Sequence, residues 1–221
     1  MIRKLSETSR PILVSFSGID GAGKTTQIEA LQTRLGEAGL RVVCITFWDD
    51  VATLTRFREA AGHTLFKGEK GVGTPPKPVN RRDKNVRSWY MTLVRFCLYF
   101  LDAVSLRIVV GRTRRANADV VIFDRYHYDE LANLSLGNRI ARAYVRSLLM
   151  FIPRPDISYL LDADPVQARA RKPEYPLEFL HSSRATYLAL SALIGGMTIV
   201  APQPVMDVGC QVMQKLQDVL G

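Results

Sequence analysis

Five short apolar runs punctuate the chain, at Ile12–Ser17, Val42–Phe47, Val120–Phe123, Ile157–Leu161 and Met197–Val200. Each is short and nearly continuously apolar, and longer helical patterns separate them. That combination predicts a parallel sheet with helices on both faces. After the first run, Ile28, Leu31 and Leu35 recur at helical spacing, and Gly39 stands where a left-handed C-cap would end the helix. The most apolar long stretch, Met91–Val110, is interrupted by Arg95, Asp102 and Arg107, so it predicts a buried helix rather than a membrane span. Gly62–Arg87 is rich in glycine, proline and basic residues and reads as a long mobile loop, either functional or disordered. The expectation is one α/β domain over residues 1–221, with a five-stranded parallel sheet between layers of helices.

Between the first strand and first helix lies Gly18-Ile19-Asp20-Gly21-Ala22-Gly23-Lys24-Thr25-Thr26, which satisfies the pattern GxxxxGK[ST] in the context it requires. Glycines there let backbone N–H groups turn toward phosphate oxygens, and the helix N-terminus adds its positive dipole end. Lys24 would reach the outer phosphates and Thr25 would offer a hydroxyl to Mg²⁺, so the expected ligands are ATP and Mg²⁺. The donor-site candidates are Gly18, Asp20, Gly21, Ala22, Gly23, Lys24, Thr25 and Thr26.

The third strand ends in Asp124-Arg125-Tyr126. Parallel sheets bind ligands at the carboxyl ends of their strands. Asp124 would organise Mg²⁺, and Arg125 would bridge donor and acceptor phosphates as charge moves between them; a plain surface ion pair is the alternative. After the fourth strand, Asp162-Ala163-Asp164-Pro165 opens a helix that carries Arg169, Arg171 and Lys172. This basic stretch, about 169–177, reads as a lid that closes cations over the triphosphate, or as a solvated helix end.

Charge narrows the partners without choosing one. The chain is formally +9, and arginine supplies 22 of its 30 basic residues. Its guanidinium fork suits phosphate oxygens. Nucleotides fit that excess; nucleic acid and acidic membranes would too, but no aromatic platform for single strands accompanies the basic loop. Cys44, Cys97 and Cys210 stand apart within apolar runs and read as reduced, buried thiols of a cytoplasmic protein, without a signal segment or membrane span.

The run FSGIDGAGKTTQ, the strand-borne Asp124-Arg125-Tyr126, the LDADP segment and the arginine-bearing lid together resemble the thymidylate kinase family, in order and over most of the chain. The resemblance implies a three-layer P-loop kinase fold, often as a homodimer. It implies transfer of the ATP γ-phosphate to dTMP or a related nucleoside monophosphate, with Lys24, Arg125, Asp20 and Arg171 as catalytic residues. Asp20 would help position the acceptor, Arg169 would join the donor site, and Thr25 and Asp124 would serve the metal. The departures fall on the acceptor side. The family's Glu-Pro-Gly-Gly loop is replaced by Phe47-Trp48-Asp49-Asp50, the window Phe100–Ser105 lacks the family's arginine, and Asp129 and Leu134 replace its Ser and Gln.

Arg95, Tyr99 and Asp102 share one helical face and, with Asp49, are candidates for the acceptor pocket; an internal Arg95–Asp102 network is the alternative. His127 takes no catalytic role. Two other functions stay open. One is a kinase of a nucleoside or other small-molecule hydroxyl, with Asp49 or Asp50 as base; the other is a nucleotide-gated binding protein without turnover.

Overall fold

A computed structural model of the chain describes residues 10–53 and 89–220. Five strands form one parallel sheet: β1 (Ile12–Ser17), β2 (Val42–Thr46), β3 (Val120–Asp124), β4 (Ile157–Leu161) and β5 (Thr198–Val200), in the order β2-β3-β1-β4-β5. The helices are α1 (Lys24–Glu37), α2 (Trp89–Thr113), α3 (His127–Leu131), α4 (Arg139–Phe151), α5 (Pro165–Arg171), α6 (Leu177–Ile194) and α7 (Val205–Leu220). All five strands lie within a residue or so of the apolar runs that predict them. The loop read at Gly62–Arg87 lies outside the described residues.

Alternation along β1 divides the core. Leu13 faces one side with Val121, Phe123 and Ile45, packed under Tyr99, Ala103 and Leu106 of α2 and Val145 and Leu148 of α4. Val14 and Phe16 face the other with Ile122 and Tyr159, under Ile28, Leu31 and Leu35 of α1 and Val212 and Leu216 of α7. Helix α1 ends as its glycine predicts: Gly39 has φ of 77°, and its N–H and that of Leu40 return to Gly36 and Leu35 oxygens at 2.9 and 3.0 Å.

Two expectations change. The long apolar helix α2 is buried on one side only, and its outer side exposes Leu93, Val94, Phe100, Leu101 and Ile108. The three cysteines are free but exposed rather than buried. Apolar neighbours in sequence are not neighbours on a surface: Cys44 lies on edge strand β2 and Cys97 on the outer side of α2. Among the described residues, no helix is long and apolar enough to cross a membrane.

The strand order fixes where a ligand can sit. β1 lies between β3 and β4: the chain passes from β1 to β2 on one side and then crosses from β3 to β4 on the other, so a crevice opens beyond the carboxyl end of β1. Register aligns the ends that line it, with Phe16 opposite Asp124 and Ser17 opposite Leu160.

Candidate active site

The loop from Gly18 to Gly23 leaves the end of β1 and delivers Lys24 as the first residue of α1. Its glycines are dictated by space as well as by dihedral angle. Gly18 has φ of 142°, and a Cβ there would stand 2.5 Å from the Leu161 carbonyl oxygen; Gly21 has φ of 81°, and its Cβ would stand 2.3 Å from the Ala168 carbonyl oxygen. The loop is therefore pressed between the end of β4 and helix α5, with no room for a side chain at either point. Thr25 and Thr26 occupy the first turn of α1 and are exposed.

Lys24 is buried, and its ammonium folds back over the loop to donate to the Gly18 and Ile19 carbonyl oxygens at 2.8 and 2.9 Å. Burial pulls its pKa from the ordinary 10.5 to about 8, and Arg125 pulls the same way, against Asp20, Asp129 and Asp124. A cation held by backbone dipoles inside such a loop is ready to exchange them for phosphate oxygens.

Arg125 follows the last residue of β3 and has φ of 67°, the left-handed region seldom occupied by a residue with a side chain. Its N–H still donates to the Phe16 oxygen at 3.1 Å, so the kink occurs while the chain remains tied to β1. Its guanidinium pairs with Asp20 of the loop through Nη2, and Nη1 lies 3.7 Å from Asp129. Burial alone would lower the pKa of Arg125, but Asp129 and Asp20 more than offset that and raise it, so the group stays charged. Asp124 is half-buried at the end of β3.

Helix α5 brings the lid arginines in. Asp164 caps it, accepting from Val166 and Gln167 N–H groups at 3.0 Å each, and Pro165 occupies the first turn, where no N–H is needed. Arg171 donates to the Gly21 oxygen at 3.2 Å, while Arg169 is half-buried on the same helix. Tyr175 is buried against Phe179, ring centroids 5.0 Å apart, and Arg184 of α6 grips Asp162 with two bonds of 2.6 and 2.7 Å. The stretch read as a lid or a free helix end thus lies packed on the phosphate loop.

Beside the loop is a cleft open to solvent. Asp20, Arg125 and Asp129 form its polar wall and Trp48 and Phe179 its aromatic one, and Asn133, Ser183 and Tyr187 also line it. Asp49, Arg95, Tyr99 and Asp102 do not line it. Asp102 is buried and accepts from the N–H and hydroxyl of Thr53 at 2.7 and 2.8 Å, fastening the end of the turn Phe47–Val51 to α2. Tyr99 is buried edge-on to the His127 ring, at 6.4 Å. Asp49 is exposed, and Asp50 receives the Thr46 N–H at 2.8 Å within its own π-helical turn. The cleft residues missed in the sequence are Trp48, Asn133, Phe179, Ser183 and Tyr187. The last three recur at every fourth position on one face of α6, a pattern visible in the sequence but without an address until the sheet is assembled.

No protein-family model matches the chain. Curated relatives do. A thymidylate kinase of Bifidobacterium longum (strain DJO10A) is 30% identical over 191 residues, 82% of this chain and 84% of that protein. One of Pelodictyon phaeoclathratiforme is 27% identical over 164 residues, 73% of this chain and 65% of that protein. Among solved structures, thymidylate kinase from Ehrlichia chaffeensis superposes with a TM-score of 0.58 at 20% identity, covering 95% of this chain and all of that one. That from Candida albicans gives 0.63 at 17% identity, over 96% and 93% of the two chains.

Proposed function

We propose that this chain, which belongs to the thymidylate kinase family, transfers the γ-phosphoryl group of ATP to dTMP or a closely related nucleoside monophosphate. Nucleotide kinase is the activity of the family, and ATP is its donor. The observation that carries the acceptor reading is the setting of Arg125: it is the cation among the described residues lining the cleft, and it stands beside the phosphate loop. A guanidinium there can engage an acceptor phosphate on one side and the moving phosphoryl group on the other.

In this reading the loop amides and Lys24 hold the donor phosphates. Arg125 compensates charge between donor and acceptor, Arg171 and Arg169 act from the lid side, and Asp20 positions the acceptor. Trp48 and Phe179 offer apolar faces to the acceptor's ring. Thr25 and Asp124 fit Mg²⁺, since both present hard oxygen donors at the carboxyl edge of the sheet and neither is fully buried. When bound, that ion would neutralise charge on the donor phosphate oxygens. No general base is called for, because a phosphate acceptor is already ionised near neutral pH. We further propose a single domain, a cytoplasmic location in keeping with the three free cysteines, and a homodimer formed through the exposed apolar side of α2.

The test is ATP consumption over a panel of nucleoside monophosphates, nucleosides and phosphosugars, run on wild type and Arg125→Ala. The reading expects dTMP or a near relative to give the highest kcat/KM, and Arg125→Ala to lose turnover without weakening ATP binding. Preference for an unphosphorylated nucleoside would overturn it.

A further inference from the structure

Asp129 belongs to no role described so far, yet it is the most densely bonded carboxylate at the site. Only 5% exposed, it accepts through Oδ2 from Ser17 Oγ at 2.7 Å and from the Tyr126 N–H at 3.0 Å, and through Oδ1 from the Tyr187 hydroxyl at 2.8 Å. A carboxylate has about four acceptor sites. Three are filled by neutral donors from β1, from the residue before α3 and from α6, which pins the group to three elements at once. The remaining one faces Arg125 Nη1 at 3.7 Å.

The other partner of Arg125 is held differently. Asp20 sits on the loop and is the more exposed of the two carboxylates, 16% against 3% by side chain. Of the two edges of the guanidinium, the one paired with Asp20 is therefore the more open to solvent, and the one facing Asp129 is covered. An incoming phosphate reaches the guanidinium from the open cleft, at the edge paired with Asp20, and exchanges with that pairing first. A half-buried guanidinium released by its sole carboxylate would swing to water. One still facing a fixed charge would stay, and it would carry its strained backbone with it.

We propose that Asp129 is a positioning residue: it retains one edge of the Arg125 guanidinium while the other edge passes from Asp20 to the acceptor phosphate. The proposal rests on the reading of Arg125 as the group that meets that phosphate. Ser17 and Tyr187 act through Asp129 by holding its carboxylate in place.

The experiment is a double-mutant cycle, with KM and kcat measured for ATP and for dTMP. Asp129→Asn keeps the shape and removes the charge. It is expected to raise the acceptor KM about tenfold and to lower kcat about tenfold or more, the usual scale of a misplaced reacting group, with the ATP KM changed less than about twofold. Tyr187→Phe, which removes one hydroxyl, should shift the same two quantities less, and it decides the matter if Asp129→Asn does not fold. In an Arg125→Ala background neither change should cost anything further, whereas general structural damage would add to it. The proposal is overturned if the folded single variants keep wild-type acceptor KM and kcat, or if their losses add to that of Arg125→Ala. An Arg125→Ala enzyme that binds acceptor and turns over normally would instead remove the reading of Arg125 on which the proposal stands.

Discussion

ATP binding by this protein should take up a proton at mildly alkaline pH, and Lys24 should be its site. Burial and Arg125 hold the Lys24 amine at about 8 in the ligand-free enzyme instead of 10.5, a difference worth roughly 3 kcal/mol against the charged form. The phosphates of ATP favour the charged form and draw the pKa back up. Below about pH 7.5 the amine is already protonated and affinity should be nearly flat. Above pH 8 each unit should weaken binding about tenfold, so at pH 9 the dissociation constant should be about ten times its plateau value. Calorimetry at pH 8.5 in two buffers of different ionisation enthalpy measures the proton directly, and about three-quarters of one should be taken up. Lys24→Met should bind weakly with no such pH dependence. Arg125→Ala, which removes a charge that lowers the Lys24 pKa, should move the midpoint upward. The same amine has a folding signature: the unfolded chain keeps this proton to about 10.5 and the folded one loses it near 8, so unfolding free energy should rise with pH across that window. Affinity that stays flat to pH 9.5 in the wild type, or that falls equally in Lys24→Met, would refute the reasoning.

Three further outcomes are expected. Gly21→Ala forces a side chain against the Ala168 carbonyl and into a φ of 81°, so ATP affinity should drop roughly tenfold or more while the chain still folds; ordinary affinity would mean that loop and α5 are not pressed together in solution. The chain has two tryptophans, so in Trp89→Phe the emission reports Trp48 alone; saturating dTMP should change its intensity or wavelength, and an unaltered spectrum would remove Trp48 from the acceptor cleft. Asp49→Asn, alone and with Asp50→Asn, should keep kcat within about threefold, because no proton need be removed from a phosphate acceptor. The double variant should stay folded, since an amide oxygen at position 50 can still accept the Thr46 N–H. A fall of a hundredfold or more in the folded double variant would point to general-base catalysis on a hydroxyl.

What was legible in the sequence was what neighbouring residues determine together. The strands appear as apolar runs because a strand covered on both faces has no polar side to show, and the phosphate loop is readable because its glycines, Lys24 and Thr25 act within a single turn. The cleft is different, since it is made of Trp48, Asn133, Phe179 and Tyr187, drawn from three elements that meet only when β1 is set between β3 and β4. Asp102 shows how that fails in detail. An ionised group on an apolar helix needs partners, and Thr53 supplies two bonds to it from outside the helix, a contact no periodicity could reveal. Asp129 was visible as a departure from the family pattern, but its three donors come from β1, α6 and the residue before α3. Its consequence could be read only once those elements had been assembled.

Phosphorus NMR of the products tests the central claim most directly. The purified protein is incubated with Mg²⁺, ATP and an equimolar mixture of dTMP and thymidine, and the spectrum is followed as ADP appears. The account predicts new α and β doublets of dTDP growing in step with ADP, the thymidine left intact, and neither change in Lys24→Ala. Formation of dTMP from thymidine, or ADP released without any new phosphoester or phosphoanhydride, would contradict it.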